Sequence, residues 1–128
     1  MITFDDFRPG TALGECDFAF DEEAVSVWSG LFPDDRRSLP AMPVAMIAMV
    51  VMRAYMAIMK ERPPGNVHAG QKFWVARLPR LNDRLTTRLN CLDKERKNNR
   101  RWVTFASETT DDAGGILFRG RMTTIWAV

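Results

Sequence analysis

Between Ala41 and Met59 the chain reads AMPVAMIAMVVMRAYMAIM, with Arg53 as its only charge. Methionines at 42, 46, 49, 52, 56 and 59 fall three and four apart, which places them on one face of a helix. Val44, Ile47, Val51 and Ile58 occupy much of the remaining circumference. A helix apolar nearly all round has to be buried, in a membrane or inside a protein. About 18 residues at 1.5 Å rise give roughly 27 Å, close to a bilayer core. Arg53 opposes a membrane, since a mid-span charge costs about 2.5–3.5 kcal/mol even on lenient scales. The segments that follow favour a protein interior, because they read as amphipathic strands able to cover the helix. The pattern therefore predicts one buried helix over about residues 43–60, wrapped by an antiparallel sheet, with Arg53 reaching out past an edge. Pro43 suits the first turn. Lys60, Arg62 and Pro63-Pro64-Gly65 stop the helix.

The length of 128 residues fits a single domain over 1–128 with one real core. Eighteen basic and 16 acidic residues leave a net charge of +2, too balanced to argue for nucleic acid. The opening MITFDDFRPG has no basic segment followed by an apolar run, and Cys16 and Cys91 have no metal-ligand spacing. Both features fit a cytoplasmic protein. A single histidine, His68, excludes a multi-histidine metal site within one chain, so no metal and no cofactor are expected.

Before the apolar stretch, Cys16, Phe18 and Phe20 alternate with Asp17 and Ala19 as a first strand. Asp21 is placed to cap a short helix whose first turn carries Glu22 and Glu23. Val25, Trp28 and Leu31 are expected to face inward from it. A charged link, Asp34-Asp35-Arg36-Arg37-Ser38-Leu39-Pro40, leads to the apolar helix. After it, four alternating segments follow: Gln71 to Ala76, Leu85 to Cys91, Trp102 to Ser107, and Ile116 to Trp126. Turns are expected at Asn98-Asn99 and at Asp111 to Gly115. The order is strand, short helix, long helix, then four strands in meander.

One helix wrapped by such strands resembles the hotdog fold, an α+β architecture. Several motifs resemble its MaoC-like (R)-specific enoyl-CoA hydratase/dehydratase branch. Phe4-Asp5-Asp6-Phe7-Arg8-Pro9-Gly10 is similar to the family's F-x-D-F-x-x-G opening. Glu22 through Ser29 resembles the helix before its active-site loop. Phe73 through Leu85 resembles F-x-x-P-V-x-x-G-D-x-L, with Asn82 in place of the glycine. Arg101 through Phe105 resembles G-R-x-V-x-F, and Gly115 through Gly120 the closing strand. The resemblance implies a dimer, with sheets joined edge to edge and ligand clefts at the interface. It also implies an acyl-CoA or other acyl thioester as ligand, with coenzyme A entering only as part of the substrate.

The family carries G-D-x-N-P-x-H before the central helix. Its Asp and His flank a water and add it across an enoyl thioester, which requires a base and an acid. Here Asp34 matches the aspartate and Leu39 stands where the histidine belongs. On that basis Asp34 is the candidate base, and His68, beyond the helix, the candidate substitute acid. The bland readings are a loop carboxylate among arginines and a half-exposed histidine beside Asn66. Arg36, Arg77 and Arg80, with Arg37 and Arg84, are candidates for the coenzyme A phosphates; as charges on strand faces and loops they can equally be solvated. The methionine stripe reads as adaptable core, or as the lining of an acyl tunnel.

Three functions follow from the resemblance. The chain hydrates a 2-enoyl thioester or dehydrates its 3-hydroxy form. Alternatively it is a catalytically silent hotdog subunit, a homodimer that binds acyl-CoA or one half of a heterodimer whose partner bears the Asp/His pair. The third reading is an acyl-CoA thioesterase. It is disfavoured because hotdog thioesterases place a carboxylate on the central helix, and none lies between Ala41 and Lys60.

Overall fold

A computed structural model describes residues 1–127. The chain opens on a 3-10 turn at Phe4–Asp6, then forms strand β1 (Ala12–Ala19), helix α1 (Glu22–Leu31), a 3-10 turn at Pro33–Ser38 and helix α2 (Met46–Ile58). Strands β2 (Val67–Val75), β3 (Arg84–Lys97), β4 (Arg100–Thr110) and β5 (Ile116–Trp126) complete it. All pairings are antiparallel, in the order β1-β3-β4-β5-β2. One face of the sheet curves around α2, the architecture predicted from the apolar stretch.

Helix α2 is shorter than predicted, 13 residues rather than 43–60. Pro43 and Val44 form the entry turn, their carbonyls accepting from Met46 and Ile47 N–H. Arg62 ends it, donating to the Met59 carbonyl at 3.0 Å. Thirteen residues span about 20 Å, which matches the roughly 20–24 Å width of five strands. Its burial is one-sided. Met46, Ile47, Val50, Val51, Ala54 and Tyr55 face the sheet, while Met56 on the far side is 47% exposed. Arg53 is exposed as expected and lies over the Phe18 ring, 5.6 Å from its centroid.

The four later strands are not a simple meander. β3, β4 and β5 are, but β2 pairs with β5 at the far edge. The segment from Ala76 to Asp83 carries the chain back across the sheet to β3, beside β1. It is held by backbone bonds from Met42 N–H to the Pro79 carbonyl and from Leu81 N–H to the Pro40 carbonyl, both 2.7 Å. Asn82 in this corner has φ +76°. That is the left-handed region a glycine suits and asparagine tolerates, so Asn82 does the backbone work of the glycine it replaces.

Local chemistry accounts for most of the remaining elements. The Asp21 carboxylate caps α1, accepting from Ala24 N–H at 2.9 Å. Val25 is buried, but Leu31 is 72% exposed. Each step of three residues falls about 60° short of a full turn, so two steps carry Leu31 off the inward face. Asn98 and Asn99, at φ +54° and +61°, form the β3–β4 hairpin. Asp111 closes the β4–β5 turn, accepting from Ala113 and Gly115 N–H. The N-terminal turn is a lid on the core rather than a loose lead-in. Phe4 and Phe7 are buried, and Phe7 packs edge-on against Trp126 at 4.8 Å and Phe105 at 5.6 Å. At the other end, Phe20, Val25, Met42, Met46, Val50, Leu85 and Phe118 form a second cluster.

Candidate functional site

The stretch expected to hold the catalytic pair is the 3-10 turn Pro33–Ser38. Pro33 starts it, and Arg37 Nε donates to the Asp34 carbonyl at 3.0 Å within it. Asp34 is exposed, and among the described residues its carboxylate has no hydrogen-bond partner. The anchored acid is its neighbour. Asp35 accepts from the Trp28 indole N–H at 2.8 Å, which ties the turn to α1. Leu39 is half-buried and packs into the second core cluster. The space between Trp28, Asp35, Leu39, Pro43 and Met46 amounts to about 10 Å³, room for no more than one water.

His68 is elsewhere. It sits on β2, opposite Thr124 of β5, with its Nε2 3.2 Å from Gln71 Oε1. The structure does not bring Asp34 and His68 into one cavity: the space at the 3-10 turn is lined without His68. Matching the family motif through Gly30, at the end of α1, changes nothing. Leu31 then takes the aspartate's place and Arg36 the histidine's. In neither register does this chain hold a carboxylate facing an imidazole.

The arginines are dispersed as well. Arg77 is committed to Asp111 across the turn. Arg36 lies 3.7 Å from Glu22, both largely exposed, a pair worth about 0–1 kcal/mol. Arg80 is exposed in the corner after β2, where its backbone N–H donates to Asp83. Among the described residues, no three His, Cys, Asp or Glu side chains converge at metal-binding distance.

The methionine stripe is core only in part. Met42, Met46 and Met59 are core. Met49, Met52 and Met56 line an open groove of about 460 Å³ with Phe18, Val27 and Leu31. Sequence reasoning missed both this groove and Gln71, the partner of His68. The available signal for Gln71 was the H-x-x-Q spacing at a strand start, which only a bulge brings onto one face.

A five-stranded antiparallel sheet wrapped around one central helix defines a hotdog protein, and this chain has that α+β fold. It is similar over its whole length to the MaoC-like dehydratase from Rhodospirillum rubrum, with TM-score 0.81 and 19% identity, covering 99% of that chain. It is also similar to the R-hydratase PhaJ1 from Pseudomonas aeruginosa: TM-score 0.69, 20% identity, 98% of this chain and 85% of that one. A third likeness is to the C-terminally truncated HadBC (3R-hydroxyacyl-ACP dehydratase) complex from Mycobacterium tuberculosis, with TM-score 0.67 and 12% identity over 90% of this chain and 98% of that one. No family model and no curated protein sequence matches the chain. Among the described residues, no helix is long and apolar enough to cross a membrane.

Proposed function

We propose that this chain is a MaoC-like hotdog subunit that binds an acyl-CoA or other acyl thioester in a cleft completed by a second hotdog chain. The reaction class of the assembly is hydration of a 2-enoyl thioester or dehydration of its 3-hydroxyacyl form, with the acid–base pair supplied by the partner. One observation carries this reading: the fold is complete at every element, while the segment that would hold the acid–base pair has no pair and no cleft. The Asp34/His68 assignment of the pair to this chain alone has no geometric support. Nor has a thioesterase, since α2 carries no carboxylate.

The edges of the sheet support a partner. β1 is protected in the usual way, by a bulge near Gly14 and by Glu15 and Asp17. β2 has a bulge and Lys72 of its own, yet Val67, Trp74 and Val75 are each about half exposed along its unpaired edge. A second hotdog chain pairing along β2 would cover them and bring the concave faces of both sheets together. HadBC is a complex by its own description, and its likeness to this chain supports a heteromeric arrangement.

The test is native mass spectrometry of the protein purified from its own cells. A complex with a second hotdog chain bearing the Asp/His motif, retaining an acyl thioester mass, is the expected result. A homodimer that hydrates crotonyl-CoA without any partner would overturn the division of labour.

A further inference from the structure

The open edge strand β2 carries a polar device that the catalytic motif does not explain. In a regular strand, residues three apart point to opposite faces. The register of β2 on β5 shifts between His68 and Gly70, so Ala69 is an extra residue. That bulge turns His68 onto the concave face, where Gln71, Phe73 and Val75 already point. Their partners on β5, Thr124, Met122, Gly120 and Phe118, confirm the face, since Thr124, Met122 and Phe118 are buried against the core.

Gln71 is fixed by its amide group. Its Nε2 donates to the carbonyl of Arg121 at 3.2 Å and of Lys72 at 3.3 Å. Turning the amide over would set its oxygen against those two carbonyl oxygens with no proton between them. Oε1 therefore has to face His68, 3.2 Å away. An amide oxygen only accepts, so His68 Nε2 carries the proton. The other nitrogen, Nδ1, is left with a free lone pair and no hydrogen-bond partner among the described residues. Phe73, next along the same face, forms an apolar wall, its ring 3.2 Å from where a Cβ on Gly120 would lie.

We propose that His68 is the ligand-binding group this chain contributes to the shared cleft, with Gln71 as its positioning residue. It rests on the reading above that the cleft lies along β2. His68 Nδ1 accepts a hydrogen bond from an O–H or N–H donor of the thioester: the 3-hydroxyl of a 3-hydroxyacyl chain or an amide of the pantetheine arm. Phe73 and Val75 line the path of the acyl or pantetheine chain beside it.

The test uses the protein with whatever partner co-purifies, titrated with 3-hydroxybutyryl-CoA, crotonyl-CoA and coenzyme A. His68→Ala is expected to weaken binding about tenfold, the loss of one hydrogen bond. Loss confined to 3-hydroxybutyryl-CoA assigns the hydroxyl; equal loss for all three assigns a pantetheine amide. With 15N label in this chain alone, its single histidine gives one unambiguous signature. The wild type is expected to show the Nε2–H tautomer, with Nδ1 shifting on ligand addition. Gln71→Ala is expected to move both resonances toward those of free histidine and to weaken binding without changing the unfolding midpoint. Wild-type binding that His68→Ala leaves unchanged overturns the inference and spares the thioester reading. Failure of the wild type to bind any of the three overturns both.

Discussion

Gly120 is where the sheet has no room for a methyl group. A Cβ there would lie 2.6 Å from Ser107 Oγ and 3.2 Å from two ring carbons of Phe73. The first distance is well inside van der Waals contact, so one side chain has to move. Ser107 is buried, and its hydroxyl has no hydrogen-bond partner, so rotating it breaks nothing but still has to find space in a packed interior. Phe73 can yield only by swinging outward from β2. Overpacking of this kind costs about 1–3 kcal/mol. At roughly 2.1 cal/mol/K per residue the unfolding entropy is near 0.27 kcal/mol/K, so Gly120→Ala is expected to lower Tm by about 4–11 °C. Ser107→Ala alone is expected to be neutral or slightly stabilising, because it removes an unsatisfied buried polar atom. Combined, the two substitutions are expected to recover about half of the loss, leaving the Phe73 contact. Urea unfolding followed by tryptophan fluorescence at fixed protein concentration measures all three. Additive losses in the double variant, or Gly120→Ala within 0.5 kcal/mol of wild type, would refute the steric account.

Asp21→Ala removes the α1 cap and is expected to cost about 1 kcal/mol, read as a lower urea midpoint with unchanged slope. Trp126→Ala empties the site beneath Phe7 and frees the Ile2 carbonyl that the indole binds at 3.0 Å; a loss of about 3–5 kcal/mol is expected in the same assay. The Asp6 carboxyl is held below its ordinary 3.8, first by the backbone N–H of Thr3 and then by its hydroxyl. A lowered folded value stabilises above the unfolded value and is lost as pH falls through the folded one, so Asp6→Asn is expected to be less stable than the wild type at pH 7 and to converge with it as the pH falls below about 4. Leu39→His restores the family's histidine by sequence, yet no crotonyl-CoA hydration is expected from it, because no carboxylate faces that position and no cleft opens there. Turnover by this variant without a partner chain would show that the missing side chain was the only deficit.

The fold was legible because its signals are local and periodic. Alternation predicts most of the buried faces of β3, β4 and β5: Leu85, Thr87, Leu89 and Cys91, then Val103, Phe105 and Ser107, then Phe118, Met122 and Trp126, whereas Ile116 is only half-buried and its neighbour Leu117 is buried instead. The position of β2 was not legible. A strand pattern states which residues share a face and says nothing about which neighbour supplies the hydrogen bonds, so a long connection across the sheet reads like a meander. The open side of α2 was hidden for a related reason. Apolar residues all round a helix favour burial on every side, but they do not say how far one five-stranded sheet reaches around it, and here Met56 stays 47% exposed.

The same distinction governs the site. Placing acid, base and cleft on one chain pairs Asp34 with the one available imidazole, and the structure holds them apart; the heterodimer reading needs no such pairing. Asp35 is held by Trp28 and Leu39 is sunk into the core, so this segment has been put to use in packing α1 onto α2. The polar chemistry lies instead on β2, where a one-residue bulge sets His68 against Gln71 on an unpaired edge. Trp74 and Val75 leave this edge half-exposed, and an unpaired edge offers its free N–H and C=O groups to another strand. In the proposed assembly the second chain holds a ligand against this imidazole, so the atoms that meet His68 are set by two sequences together.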